Sequence, residues 1–436
     1  MRAVLTNFGT TGDIQPFLAL ATEMCRHGHQ PLLAFSPDYE SRVQNLGLHF
    51  FSLGPDLQEA RRQVNIQWMD APESYESTEQ MHRLLAPLMS ASPQVYEQLR
   101  GLCAQTDVLI SGPAQPAARM VHETQGTPFV SIQFSHFGGT GLPALQQASA
   151  ALINPFRTKL GLPSLSNPLT IDANSPQLAL YAMSRHIRPL QASRPAHYRV
   201  TGFFFLDDKN WQPETELVNF LSSGQSPVVI TFGSMSQTRE DPNALKNIIL
   251  EACEIAECRA IVQQAGDRQI NQYLAERVYT VGYVPHGWLF SRAACIVHHG
   301  GGGTVGAVLR SGVPSVFVPH GKIFDQHYWA QLAQEAGCAG PAVPYAELTA
   351  ERLGAAIKHT LSRRSYSEAA SALGEKVRAE QGVRNARCLI EELVRKVGLR
   401  GNAEDTDQYH IDSAASREEK TARRKRYFER QRSKGG

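Results

Sequence analysis

Val297-His298-His299-Gly300-Gly301-Gly302-Gly303-Thr304 is the stretch that decides how this chain folds. The apolar run Ala294-Cys295-Ile296-Val297 leads into it and predicts a buried parallel strand. A helix is predicted after it, from about Thr304 to Arg310. Gly312-Val313-Pro314 then opens a second apolar run, Val316-Phe317-Val318. Strand, glycine turn, helix, strand is the arrangement that aims free backbone N–H groups at an anion on a helix N-terminus. Glycines suit the turn because a Cβ would block close approach of a phosphate. His298 and His299 are expected to add a hydrogen bond and positive charge. The expectation is a diphosphate site.

The same plan runs through the chain twice. In the first half, short apolar strands (Arg2 to Asn7, Pro31 to Phe35, Asp107 to Ser111, Phe129 to Gln133) alternate with helical stretches such as Ile14 to Arg26. The second half opens on Pro227-Val228-Val229-Ile230-Thr231-Phe232-Gly233. Its further strands are predicted at Arg259 to Gln264, Val278 to Tyr283, Ala294 to His298 and Pro314 to Pro319. Such alternation predicts an α/β fold of two parallel sheets with helices on both faces. We expect one domain over 1–206, a polar linker over 207–226 and a second domain over 227–400 whose last helix packs back on the first. Residues 401–436 read as a charged, solvated tail, strongly basic from Arg417 to Lys434. Tyr427 and Phe428 within that run allow a weak contact with an anionic membrane surface.

The 436 residues suffice for two cores, and a net charge of +2 with 19% charged residues points to no nucleic-acid partner. Seven scattered cysteines without metal or redox spacing suggest a reduced, cytoplasmic protein. Cys253 and Cys258 read as packing. The chain enters a strand at Ala3-Val4-Leu5, with no charged-then-apolar leader and no run of membrane-spanning length. His27 and His29, flanking Gly28, read as a helix end and turn.

A second glycine turn, Asn7-Phe8-Gly9-Thr10-Thr11-Gly12-Asp13-Ile14-Gln15-Pro16, follows the first strand. Ligands of open α/β sheets bind outside such strand ends, so Asp13 is expected at the mouth of a cleft. Its bland role is a helix N-cap, with Pro16 tolerated in the first turn. The two roles are compatible.

Gly9 to Pro16, Thr231-Phe232-Gly233-Ser234-Met235, Val281-Gly282-Tyr283-Val284-Pro285-His286, His298 to Thr304 and Asp325-Gln326 occur in this order along the chain. Together they resemble the nucleotide-sugar-dependent glycosyltransferases with two Rossmann-like domains facing each other across a cleft (GT-B), in the bacterial sterol, glycopeptide and macrolide branch. The resemblance runs from Met1 to about Gly398. It implies that His298, Gly300, Gly302, Gly303, Thr304 and Ser234 hold the donor diphosphate. Tyr283, Val284 and His286 would line the nucleobase, and Asp325 and Gln326 would hold sugar hydroxyls. Asp13 would be the acceptor-activating base. Two positions depart from the plant relatives: Gly306 stands where they carry a ribose-binding glutamate, and Gly301 where they carry tryptophan. The choice between a UDP-sugar and a dTDP-sugar co-substrate therefore stays open.

Elementary chemistry agrees with these roles. A departing nucleoside diphosphate needs fixed dipoles, cations or a metal. The glycine-rich helix start and His298 supply the first two. The only Asp-x-Asp pattern, Asp405-Thr406-Asp407, lies in the tail, so no metal and no other cofactor is expected. Carboxylate and amide groups suit sugar hydroxyls, although Asp325 also reads as a helix cap. A helix N-terminus would keep Asp13 ionised and a weak base, adequate if the acceptor proton leaves late. A single in-line displacement with inversion follows, because no motif nominates a carboxylate for a covalent intermediate. A lipophilic small-molecule acceptor is expected, its pocket drawn from Gly12, Trp68, Met69, Met81 and Leu85; Leu84 and Leu88 share that apolar insertion. Two alternatives are a sugar-nucleotide epimerase or hydrolase of the same fold and a dinucleotide-dependent oxidoreductase. The second is disfavoured because the richest glycine turn follows two histidines and lacks a ribose-binding acid at the usual distance.

Overall fold

A computed structural model describes residues 1–56, 77–112, 114–135, 143–189, 194–208, 210–232, 242–263, 272–275, 277–320 and 325–406. Its first half forms a seven-stranded sheet in the order β3-β2-β1-β4-β5-β6-β7, parallel throughout. The strands are β1 (Arg2–Thr6), β2 (Gln30–Phe35), β3 (His49–Ser52), β4 (Val108–Ser111), β5 (Phe129–Gln133), β6 (Leu178–Tyr181) and β7 (Tyr198–Val200). The second half forms a six-stranded sheet in the order β10-β11-β9-β8-β12-β13. Its strands are β8 (Val228–Thr231), β9 (Ala260–Gln263), β10 (Gln272–Ala275), β11 (Val278–Val281), β12 (Cys295–His298) and β13 (Ser315–Phe317). Only the edge strand β10 runs antiparallel. The predicted α/β plan is present, with β3, β6, β7 and β10 added to the strands read from sequence.

Strand order reverses direction between β1 and β4 in one sheet and between β8 and β12 in the other. These switch points open a crevice at the carboxyl ends of the strands. The turns that leave β1 and β12 are the two glycine turns. Apolar strands fully buried on both faces explain why the pattern is so legible: β4, β5, β8, β11 and β12 have no exposed residue.

Separate apolar clusters cover the faces of each sheet. A further cluster joins the halves, bringing Tyr181, Met183 and Phe203 against Val305, Leu309 and the fully buried Trp329. The helix Gly382–Thr406 crosses back onto the first half, placing Ala386 and Ile390 in the core of the helix Thr11–Arg26. The crossing is tight. A Cβ on Gly382 would stand 2.3 Å from the Phe203 carbonyl oxygen.

Two expectations need correcting. The 207–226 segment is not wholly linker, because Thr215–Ser222 is a helix whose Leu217 and Phe220 enter the second-half core. Asp207 is pinned to Arg310 by two hydrogen bonds of 2.7 and 2.8 Å. The tail does not begin at residue 401, since the closing helix continues to Thr406; the basic segment lies outside the described residues. Among the described residues no helix is long and apolar enough to cross a membrane.

Candidate functional site

The turn after β1 is built around one carboxylate. Asp13 Oδ2 accepts from the Thr10 backbone N–H at 2.7 Å and from the Thr10 hydroxyl at 3.0 Å. The Asn7 side-chain amide donates to the Asp13 carbonyl at 3.0 Å. Gly9 has φ +145, and a Cβ there would lie 2.3 Å from Asp13 Oδ2. The N-cap is Thr10, so the N-cap role considered for Asp13 is corrected: Asp13 is the third helical residue, bonding back to the cap. Pro16 falls beyond the first turn, and the carbonyl of the exposed Gly12 receives no intrahelical bond from it.

In the second half, β12 delivers His298 to the sheet's carboxyl edge. The ring is fully buried, 4.2 Å from the Phe317 ring, and neither nitrogen has a partner among the described residues. Burial, with His299 and His286 close by, holds it well below the usual histidine range. His299 is likewise pushed down to about 4, first by burial. The positive charge expected of this pair is therefore absent at rest; they enter as neutral imidazoles. Gly300 turns with φ +93, where a Cβ would press on Phe317 and the Gln326 backbone. The helix begins at Gly302, two residues earlier than expected, with Gly301 as its cap. Gly302, Gly303 and Thr304 thus form the first turn, whose backbone N–H groups have no intrahelical acceptor. Ser234 lies outside the described residues.

The expected nucleobase segment follows β11. Tyr283 is 56% exposed, within electrostatic reach of Asp208 and, from the first half, Arg42. Val284 is buried and its carbonyl accepts from Gln263 Nε2 at 2.7 Å. His286 opens a short helix and stacks on Phe290 at 4.3 Å.

Asp325 precedes the helix Gln326–Glu335 as its N-cap, yet its side chain caps no backbone group. The carboxylate instead accepts from the Trp329 indole at 2.9 Å and from the Ser135 hydroxyl of the first half. Burial raises its proton affinity, to a pKa of about 6, and the charge of Asp13 adds to this. The two carboxylates, one from each half, are therefore within electrostatic reach of each other. Gln326 is buried and its oxygen already accepts the His320 backbone N–H at 2.7 Å. That oxygen ties His320 to the start of the helix Gln326–Glu335.

The expected acceptor wall is corrected. Met81 and Leu85 point into the first-half core from the helix Thr78–Met89, which packs on the helix Pro143–Lys159. One turn further on, Leu88 and Met89 reach a crevice together with Asn7, Phe8, Leu53 and Val95, next to the Asp13 turn. Trp68 and Met69 lie outside the described residues. Gly306 is filled in from outside: a Cβ there would meet Phe203 at 2.8 Å, so the helix cannot carry the plant glutamate without moving that ring. Sequence reading missed Ser135, Trp329 and Phe203. Two signals were available: Ser135 follows a strand at its carboxyl edge, and Trp329 stands one helical turn after Asp325.

The buried histidines make a testable statement about stability. His122, at about 4, His299 and His298 all bind protons more weakly folded than unfolded. Between about pH 6.5 and 4 the unfolded chain holds more protons, so stability falls as pH falls, by up to about 1.4 kcal/mol per histidine per pH unit. Asp325 works in the opposite sense, its folded pKa being raised, and offsets part of the loss. Urea midpoints should be lower at pH 5 than at pH 7; an equal or higher midpoint would contradict the burial of these rings.

Comparisons with known proteins bear on the whole chain. Residues 3–137 match the glycosyltransferase family 28 N-terminal domain, and residues 248–386 match the erythromycin biosynthesis protein CIII-like C-terminal domain. O-mycaminosyltylonolide 6-deoxyallosyltransferase of Streptomyces fradiae is 28% identical over 429 residues, covering 90% of this chain and 97% of that one. A sterol 3-beta-glucosyltransferase of Arabidopsis thaliana is 29% identical over 385 residues, which is 81% of this chain but 62% of that relative's length. The structure of the kitacinnamycin glycotransferase superposes with a TM-score of 0.69 at 20% identity, over 90% of this chain and 99% of that one. Glycosyltransferase VinC in complex with DTDP gives 0.68 at 19%, over 91% and 100%. Fold and site thus define a GT-B protein with two parallel-sheet α/β domains. The chain belongs to the nucleotide-sugar-dependent glycosyltransferases, with its homologues among the macrolide and sterol enzymes.

Proposed function

We propose that this protein moves a hexose from a UDP- or dTDP-sugar to a hydroxyl of a lipophilic small molecule, such as a sterol or polyketide, with inversion and without a metal. The observation that carries the reading is Asp13 of the first half within electrostatic reach of Asp325 of the second, which lies beside the first turn of Gly302–Ser311. The acceptor hydroxyl lies by Asp13, whose carboxylate takes its proton as the new C–O bond forms. The sugar's hydroxyls lie against Asp325. The departing diphosphate is met by N–H groups of Gly302, Gly303 and Thr304 and by His298. Attack and departure then occur on opposite faces of the anomeric carbon. The crevice at Phe8, Leu53, Leu88, Met89 and Val95 offers an apolar acceptor its wall. The activities of the macrolide and sterol relatives support this acceptor class.

The test is mass spectrometry of the purified protein with UDP- and dTDP-sugars and a mixed sterol and macrolactone acceptor panel. Glycosylated acceptor is expected; donor hydrolysis with no transfer to any acceptor would favour a hydrolase instead. Activity should persist in a chelator. Loss on chelation, restored by magnesium or manganese, would overturn the metal-free reading. Among the described residues no group of three or more metal-ligating side chains converges.

A further inference from the structure

Most polar contacts between the halves lie away from the cleft mouth. Asn385 donates to the Thr201 carbonyl at 2.9 Å, Arg387 pairs with Glu23 at 3.4 Å, and His29 meets Glu391 at 2.7 Å, all on the closing helix. Ser135 is different. It lies just past β5 at the carboxyl edge of the first sheet, and its hydroxyl donates to Asp325 of the second half. The surrounding geometry places the same strand end there independently. A Cβ built on Gly302 would stand 3.8 Å from Asp325 Oδ2, 3.8 Å from the Phe134 carbonyl oxygen and 3.6 Å from Trp329 Nε1. The end of β5, the start of the glycine-rich helix and the Asp325 carboxylate therefore share one corner.

The two donors on Asp325 do different work. Trp329 sits on the same helix and fixes the carboxylate whatever the cleft does. Ser135 reaches it only when the halves are together. Against closure stands the charge of Asp13, which Asp325 meets from the first helix. On its own helix Asp325 neighbours the Tyr328 phenol, and the neutral His298 and His299 lie at the end of β12 and in the turn before the glycine-rich helix. We propose that Ser135 is a positioning residue: its hydroxyl, donated across the cleft, couples closure of the two halves to capture of the donor sugar by Asp325. This rests on the sugar-nucleotide reading above. A closed cleft excludes water, so the coupling also protects the donor from hydrolysis.

The experiment compares wild type with Ser135→Ala and Ser135→Thr, using UDP-glucose and dTDP-glucose as donors. In Ser135→Ala, transfer kcat/KM should fall about 10-fold, since a hydrogen bond to a charged group is lost. The hydrolysed share of donor should rise, while affinity for free UDP or dTDP stays unchanged. Without the hydroxyl, Asp325 binds its proton more tightly, so the acidic limb of the kcat/KM profile should move up by roughly 0.5–1 pH unit. Ser135→Thr, which keeps the donor, should restore both. An unmoved acidic limb together with unchanged hydrolysis overturns the coupling. If wild type processes neither donor, the sugar-nucleotide reading fails for these substrates and solution scattering decides. A larger radius of gyration in Ser135→Ala than in wild type supports the closure contact, and identical curves overturn it.

Discussion

Asp13→Asn is expected to give a folded protein with near-normal UDP or dTDP affinity and glycosyl transfer reduced at least ~100-fold, as general-base loss typically costs about 10²–10⁴. The structure makes the substitution clean. Asp13 holds its turn through one oxygen, which accepts from the Thr10 N–H and hydroxyl. Asparagine keeps an oxygen acceptor and the same shape, so the turn and the first helix survive. What it loses is the capacity to take a proton. The groups proposed to hold the diphosphate, Gly302 to Thr304 and His298, lie on the other half, so nucleotide binding has no reason to weaken. Binding is read by calorimetry and transfer by product mass. Near wild-type transfer would reduce Asp13 to a helix-start residue and leave the base unidentified.

How much of this was legible in the sequence differs by element. Buried parallel strands such as β4, β8 and β12 announce themselves, because both faces are apolar and no alternation is needed. The short strands β3 and β7 carry mixed residues, and β6 is apolar but only four residues long, so none stood out from the sequence. Asp13 and His298 were legible because glycines mark where backbone must come close to something. Their electrostatics were not. The expectation of a positive His298 ignored a burial that only three-dimensional packing against Phe317 imposes. Asp325 as sugar ligand and Asp325 as cap were indistinguishable from local sequence. The Trp329 indole, one turn later, draws the carboxylate away from the backbone. The Gln326 oxygen is engaged by the His320 backbone N–H, a contact that no local pattern announces. Met81 and Leu85 were drawn toward a pocket by composition, whereas they lie within the first-half core, and it is Leu88 and Met89, further along the same helix, that border the crevice. The position of Ser135 past a strand's carboxyl edge was legible, but its partner Asp325 lies in the sequence-distant half, which no local pattern encodes.

His298→Ala is expected to weaken nucleotide binding about 10–100-fold, the worth of a hydrogen bond to a charged group, with little loss of stability. The ring lies at the end of β12 with neither nitrogen bonded among the described residues, an arrangement that itself costs folding free energy. Alanine removes that cost while opening a cavity beside Phe317, and the two effects oppose each other. Charge linkage separates this from a packing effect. The free imidazole is neutral because burial disfavours its cation, and a diphosphate placed beside it favours the cation instead. Binding should therefore take up protons, and wild-type affinity for UDP or dTDP should rise as pH falls from about 7.5 to 6, the range in which an ordinary histidine titrates. Calorimetry in two buffers of different ionisation heat measures that uptake directly. The uptake should be smaller in His298→Ala, with the remainder carried by His299, whose imidazole is also held low by burial. Wild-type affinity and undiminished uptake in the variant would place the diphosphate away from β12.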